Sequence, residues 1–224
     1  MFKRLFCIYL LTLLLPGCNT QETLNVQVIL HQAPYSCNKN QELMFYLSDF
    51  TVNGKKVAVT HPSSQHDSLV LMGANCNSAQ SWQFTLANLT QGDDVNFSLA
   101  VPFALNHLNP LQQQAPLNES EMFWSWQLGH KFLRLDLADY NFHLGSTDCH
   151  SASKLRAPKE PCKYPNRFEF SIKNIDLNKP IVFNLDNLLL GTQQKFCMSE
   201  QTNTDCQILF GNLAQGHIFY QDAK

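Results

Sequence analysis

Short runs in which apolar and polar residues alternate with a period of two recur along this chain, and that period limits its fold more than any other feature. LNVQVIL at residues 24–30 begins the series. LMFYLSDFTV at 43–52 follows and is closed by Asn53-Gly54 before KKVAV at 55–59. An Asn-Gly pair between two such runs is a strong hairpin signal, because both positions tolerate the positive φ of a tight turn. Further runs lie at 68–72, 81–86, 95–101, 131–137, 141–145, 167–172 and 179–185. Alternation places every second side chain on one face, so each run reads as a half-buried strand. Helical spacing is confined to 186–190 and 205–212. With no internal repeat and no linker, the expected fold is all-β: one antiparallel β-sandwich or barrel-like domain over residues 24–224, with long loops and disulfides.

The first 17 residues read as an export signal. Lys3 and Arg4 precede an apolar run from Leu5 to Leu15 that is too short to span a bilayer comfortably. The run ends in Leu15-Pro16-Gly17-Cys18, close to the bacterial lipobox, in which the cysteine becomes the lipid-modified first residue; Pro16 is unusual there. The alternative is ordinary cleavage with Cys18 left over. Asn19 after the cysteine favours the outer membrane over inner-membrane retention. The expectation is a periplasmic or cell-surface protein held to the membrane by the lipid at Cys18. The chain carries 16 basic and 18 acidic side chains, two of the basic ones in the leader. Such a balance offers no electrostatic footprint for nucleic acid.

Eight cysteines are present, and besides Cys7 and Cys18 six remain: Cys37, Cys76, Cys149, Cys162, Cys197 and Cys206. An even number in an exported chain reads as disulfides, with 15 possible connectivities. Local closure favours Cys149–Cys162 and Cys197–Cys206, which leaves Cys37–Cys76. Thiolate metal ligation is the rival reading, but no Cys-x-x-Cys pair occurs and an oxidising compartment opposes it.

Two long irregular stretches, residues 102–127 and 146–166, break the strand pattern, and such loops commonly carry function. The chain has no His-Glu-x-x-His, no Gly-x-Ser-x-Gly and no glycine-rich phosphate loop, so no enzymatic machinery is legible. What remains is imidazole and indole. His107 stands in the first loop and His143 on a strand just before the second. A histidine among apolar neighbours is more often a hydrogen-bonded core residue than a ligand. Two of them on converging segments suit copper(I), zinc or nickel, with Asn106 or Asp136 to fix the ring tautomer. Trp124 and Trp126, in MFWSWQ, would point the same way on a strand and fill a core.

Five motifs occur in order: FYLSD at 45–49, VPFALNH at 101–107, PLN at 116–118, MFWSWQ with Lys131-Phe132, and HLGST at 143–147, followed by Cys149, Cys162 and Pro165-Asn166-Arg167. Together they resemble the MbnP-like family, the four-cysteine proteins of the metallo-mystery pair systems. The resemblance implies a secreted or outer-membrane β-rich protein that binds copper through two histidines and a kynurenine. The kynurenine is a tryptophan whose indole has been opened by a partner dihaem protein of the MauG/cytochrome c peroxidase type. Carried onto this chain, the ligands are His107 and His143, and the oxidised residue is Trp124 or Trp126, with Trp82 a distant third. Two departures stand out. His130 occupies the place where the family usually has tyrosine, as a surface substitution or an added ligand, and Asp148 interrupts the family's Thr-Gly-Cys. The rival function is a cell-surface module that binds protein or glycan through aromatic loops and takes no metal.

Overall fold

The structure is a computed structural model that describes residues 20–36, 41–74, 76–193 and 195–222. The leader, Cys18 and Cys37 lie outside the described residues, and with them the lipid site and the Cys37–Cys76 pairing, although Cys76 itself is disulfide-bonded. The expected all-β fold is found, with the strands gathered into two sheets. In the first the order is Phe219–Tyr220, Ile181–Asn184, Gln21–Leu30, Gln83–Ala87, Val59–Thr60. In the second it is Phe168–Ile172, Val95–Leu99, Glu42–Val52, Gly129–Leu137, Tyr140–Gly145, Phe196–Cys197. Leu69–Met72 and Lys55–Lys56 also pair with Glu42–Val52, and Phe123–Ser125 pairs with Gly129–Leu137.

Most pairings are antiparallel, as alternation with tight turns requires. Two are parallel: Gln21–Leu30 with Ile181–Asn184, and Tyr140–Gly145 with Phe196–Cys197. Both join segments far apart in the chain, and a parallel pair needs such a crossover. Gln21–Leu30 keeps its alternation, burying Leu24, Val26, Val28 and Leu30 on one face. Glu42–Val52 is buried on both faces, and this makes it the centre of the molecule. Its Phe45 packs into the inter-sheet core, with the Phe183 ring 4.8 Å away. Its Tyr46 points the other way and donates from its hydroxyl to the Pro116 carbonyl at 2.8 Å. Residues 102–127 therefore do not hang free; they roof the outer face of the second sheet.

Disulfides join Cys149 to Cys162 and Cys197 to Cys206, the two pairs of local closure. The second ties Phe196–Cys197 to the helix Thr204–Ala214, whose first turn is capped by Asn203 accepting from the Cys206 N–H. No helix among the described residues is long and apolar enough to cross a membrane.

Candidate metal centre

The roofed face is defined by strand register. Arg134 stands opposite both Met44 and His143, and Asp136 opposite both Glu42 and Asn141. Directly opposed residues project from the same side of a sheet. Glu42, Arg134, Asp136, Asn141 and His143 are thus gathered on one surface. Asp136 Oδ1 accepts from His143 Nε2 at 2.8 Å and from Asn141 Nδ2 at 2.8 Å, while its Oδ2 accepts from Arg134 Nε at 2.6 Å. Burial alone would raise the Asp136 pKa, but the hydrogen bonds from His143, Asn141 and Arg134 outweigh it and hold the carboxyl well below the usual range. A carboxylate can only accept, so the His143 ring carries a proton on Nε2, which leaves Nδ1 as the nitrogen a metal could take.

His107 is positioned from the roof. Pro102 starts the short helix Phe103–Asn106, and His107 follows as its C-terminal cap. Asn106 is clamped because Gly129, at φ 78°, lets the chains approach closely; a Cβ there would lie 2.5 Å from the Asn106 carbonyl oxygen. Asn106 Oδ1 accepts from the His130 N–H at 2.8 Å, which turns its amide nitrogen toward His107 Nε2 at 3.3 Å. His107 Nδ1 is buried without a hydrogen-bond partner. The Trp126 main chain lies against the ring and favours its protonation, yet burial dominates and pushes the His107 pKa down to about 4. At neutral pH the ring is uncharged, the form that a metal requires. Since Nε2 accepts from the Asn106 amide, the uncharged ring carries its proton on Nδ1, and a metal would take Nε2 in place of that hydrogen bond.

The long loops meet here, with His107 Nε2 lying 3.8 Å from Cys162 Sγ. His107, Cys149 and Cys162 have ligand atoms within 4.8 Å of one another. The two sulfurs are joined in a disulfide, however, so neither is a thiolate donor. The His107 imidazole is the donor left at this cluster, and imidazole suits a borderline ion.

The tryptophans do not form the paired core that strand periodicity suggests. The strand Phe123–Ser125 stops before Trp126, which begins a turn, so the two side chains are not bound to one face. Both are half-buried. Trp124 lies over Gly145, where a Cβ would be 2.8 Å from its Cζ3, and its ring centre is 6.4 Å from that of His143. Trp126 packs edge-on against Phe123 at 5.8 Å. Trp82 donates to the Cys76 carbonyl at 3.0 Å and packs on Tyr35 and Phe45, away from both histidines' contacts. Gly145→Ala is therefore expected to push the Trp124 indole off its seat. The overpacking should cost about 1–3 kcal/mol in a urea titration, together with a change in the near-ultraviolet circular dichroism of tryptophan.

His130 is neither a surface residue nor an open ligand. It is fully buried, with Nδ1 2.7 Å from the Asn106 carbonyl and Nε2 3.0 Å from the Leu117 carbonyl. The ring ties the roof to the sheet by donating to one of these carbonyls when uncharged and to both only when protonated. Burial lowers its pKa against the opposing pull of the two carbonyls. Asp148 is partly exposed and pairs with Lys163 at 3.5 Å. Sequence reasoning named Asn106 and Asp136 as the ring partners but missed Arg134, Glu42 and Glu121. The signal available was the two-residue turn Ala138-Asp139 between alternating runs, which sets the Leu137↔Tyr140 register and hence Arg134 opposite His143.

The fold is similar to that of MbnP from Methylosinus trichosporium, with a TM-score of 0.71 over 86% of this chain and 87% of that one, at 17% sequence identity. No curated protein matches the sequence. The MbnP family matches residues 19–208, covering both long loops, both histidines and the Trp124–Trp126 segment, and the chain belongs to that family.

Proposed function

We propose that this protein is an exported copper-binding protein of copper acquisition or handling, non-enzymatic, with copper(I) held by His107, His143 and a kynurenine derived from Trp124. Family membership supports the copper reading. The observation that carries the site is the His143 ring, fixed through Nε2 by Asp136 at 2.8 Å, which leaves Nδ1 for a metal, with Trp124 beside it. His107 supports the same site as a buried ring held uncharged at neutral pH. Trp124 is preferred to Trp126 because its ring faces His143, whereas the Trp126 ring faces Phe123. Opening the indole exposes an aromatic amine, a nitrogen donor that neutral indole lacks. The oxidant would be a dihaem partner of the MauG/cytochrome c peroxidase type, and the half-exposed Trp124 leaves that partner a surface to reach. Lipid attachment at Cys18, to the outer membrane, would keep the protein at the envelope.

The test is peptide mass spectrometry of the protein from its native host over residues 121–131. The expected result is a net gain of one oxygen and loss of one carbon at Trp124, with Trp126 intact. Modification at Trp126 would reassign the residue, and two intact indoles in mature protein would leave copper to the histidines alone.

A further inference from the structure

Arg134 makes three ion pairs at once. Its Nη2 meets Glu42 Oε2 at 2.7 Å, its Nη1 meets Glu121 Oε2 at 2.6 Å and its Nε meets Asp136 Oδ2 at 2.6 Å. The guanidinium is largely covered, with 19% side-chain exposure, while Glu42 and Glu121 are about half exposed at 46% and 52%. Exposed pairs of this kind add little stability, about 0–1 kcal/mol each. Their geometry is more informative. A planar guanidinium has a fixed fork of donors, so it orients each carboxylate it grips.

Each arm leads to a different part of the proposed centre. Asp136 has Oδ2 on Arg134 and Oδ1 on His143 and Asn141, so the carboxylate has no freedom to turn. Glu121 lies in the 3-10 turn Ser120–Met122, which runs straight into Phe123–Ser125 and Trp124. The same turn is held a second time by Lys131 Nζ, which donates to the Glu121 carbonyl at 2.7 Å. One side chain thus links the partner of His143 to the segment that carries Trp124. We propose that Arg134 is a positioning residue: it fixes Nδ1 as the metal-binding nitrogen of His143 and locks the Trp124 segment beside that ring before a ligand arrives. This inference rests on the copper reading for its use, but not for its geometry.

The test begins with the copper-free mature protein, by long-range 15N NMR of the histidine rings and of the tryptophan indole N–H signals. In the native protein His143 is expected as the Nε2–H tautomer with an unprotonated Nδ1. Arg134→Leu should move the two His143 nitrogen shifts toward each other as the tautomers mix, and should broaden or shift the Trp124 indole signal. The Trp82 signal should stay in place, since its indole N–H donates to the Cys76 carbonyl and to no member of the network. Glu121→Gln cuts only one arm, so it should disturb Trp124 and spare His143; it also serves if Arg134→Leu does not fold. Copper(I) affinity of Arg134→Leu should fall about 10- to 100-fold, the usual size for loss of a ligand's support, with partial rescue by Arg134→Lys. An Nδ1–H tautomer in the native protein would overturn the proposal, as would unchanged His143 and Trp124 signals in Arg134→Leu. If the tautomer is as expected but copper leaves the His143 signals unmoved, the copper reading fails and the positioning role stands.

Discussion

His143→Ala and His107→Ala are each expected to lower copper(I) affinity by about 100-fold or more, while His217→Ala leaves it unchanged. The bound follows from comparison: loss of a residue that merely supports a ligand costs 10- to 100-fold, so loss of the ligand itself should cost at least the upper figure. That factor corresponds to about 2.7 kcal/mol of binding free energy. Competition against a chromophoric copper(I) chelator reads it directly. His217 is the control because its side chain is exposed and no site contact involves it. The two site variants should differ in stability even if they agree in affinity. Removing His143 strips Asp136 of one of its donors and leaves Arg134 and Asn141 to satisfy it. Removing His107 deletes a ring whose Nδ1 is already unsatisfied, so the loss of fold stability should be the smaller. Unchanged affinity in both variants, each folded by circular dichroism, would sink the assignment.

What the sequence discloses here is local, and what it hides is register and the ends of strands. The alternation in LNVQVIL survives directly as the buried set Leu24, Val26, Val28 and Leu30, because an edge of the core imposes period two whatever the rest of the fold does. The disulfide pairs of short separation form because their cysteines cannot stray far apart. Asn106 and Asp136 emerge as ring partners for a similar reason, one adjacent in sequence and the other across a hairpin. The tryptophans escape the strand periodicity because the strand Phe123–Ser125 is only 3 residues long and nothing in MFWSWQ marks where it stops. His130 could not be assigned because its two acceptors, the Asn106 and Leu117 carbonyls, are main-chain atoms of a loop whose path is set by tertiary packing. The same limit applies to Arg134, whose partners come from three separate segments.

Phe219→Ala is expected to be among the most damaging single substitutions in the chain, costing about 3–5 kcal/mol of stability. Phe219 belongs to a 2-residue strand near the C-terminus that alternation could not reveal. It is 2% exposed and stacks on Phe183 at 4.4 Å with an interplanar angle of 11°. Its ring also meets Phe170 at 4.8 Å, Phe97 at 5.3 Å and Phe45 at 6.0 Å. Phe183 lies in the first sheet, whereas Phe45, Phe97 and Phe170 lie in the second, so one side chain bridges the two. Truncation would leave a cavity lined by rings from both sheets, and rings held by strands on two sides cannot collapse into it easily. Urea unfolding should show a lower midpoint at unchanged slope, since the surface exposed on unfolding is little altered. Leu111→Ala, at 91% exposure, is the control and should fall within about 0.5 kcal/mol of the native protein. A double-mutant cycle with Phe183→Ala should return a coupling of about 0.5–1.5 kcal/mol, the usual value for an aromatic pair beyond its area. A loss below about 1 kcal/mol for Phe219→Ala would mean that the sheets are held together elsewhere. The proposed centre offers an independent check, because a ligand that binds only the folded state stabilises it by mass action. Copper(I) at 100 times its dissociation constant should return about 2.7 kcal/mol to Phe219→Ala, and none to the same variant carrying His107→Ala and His143→Ala.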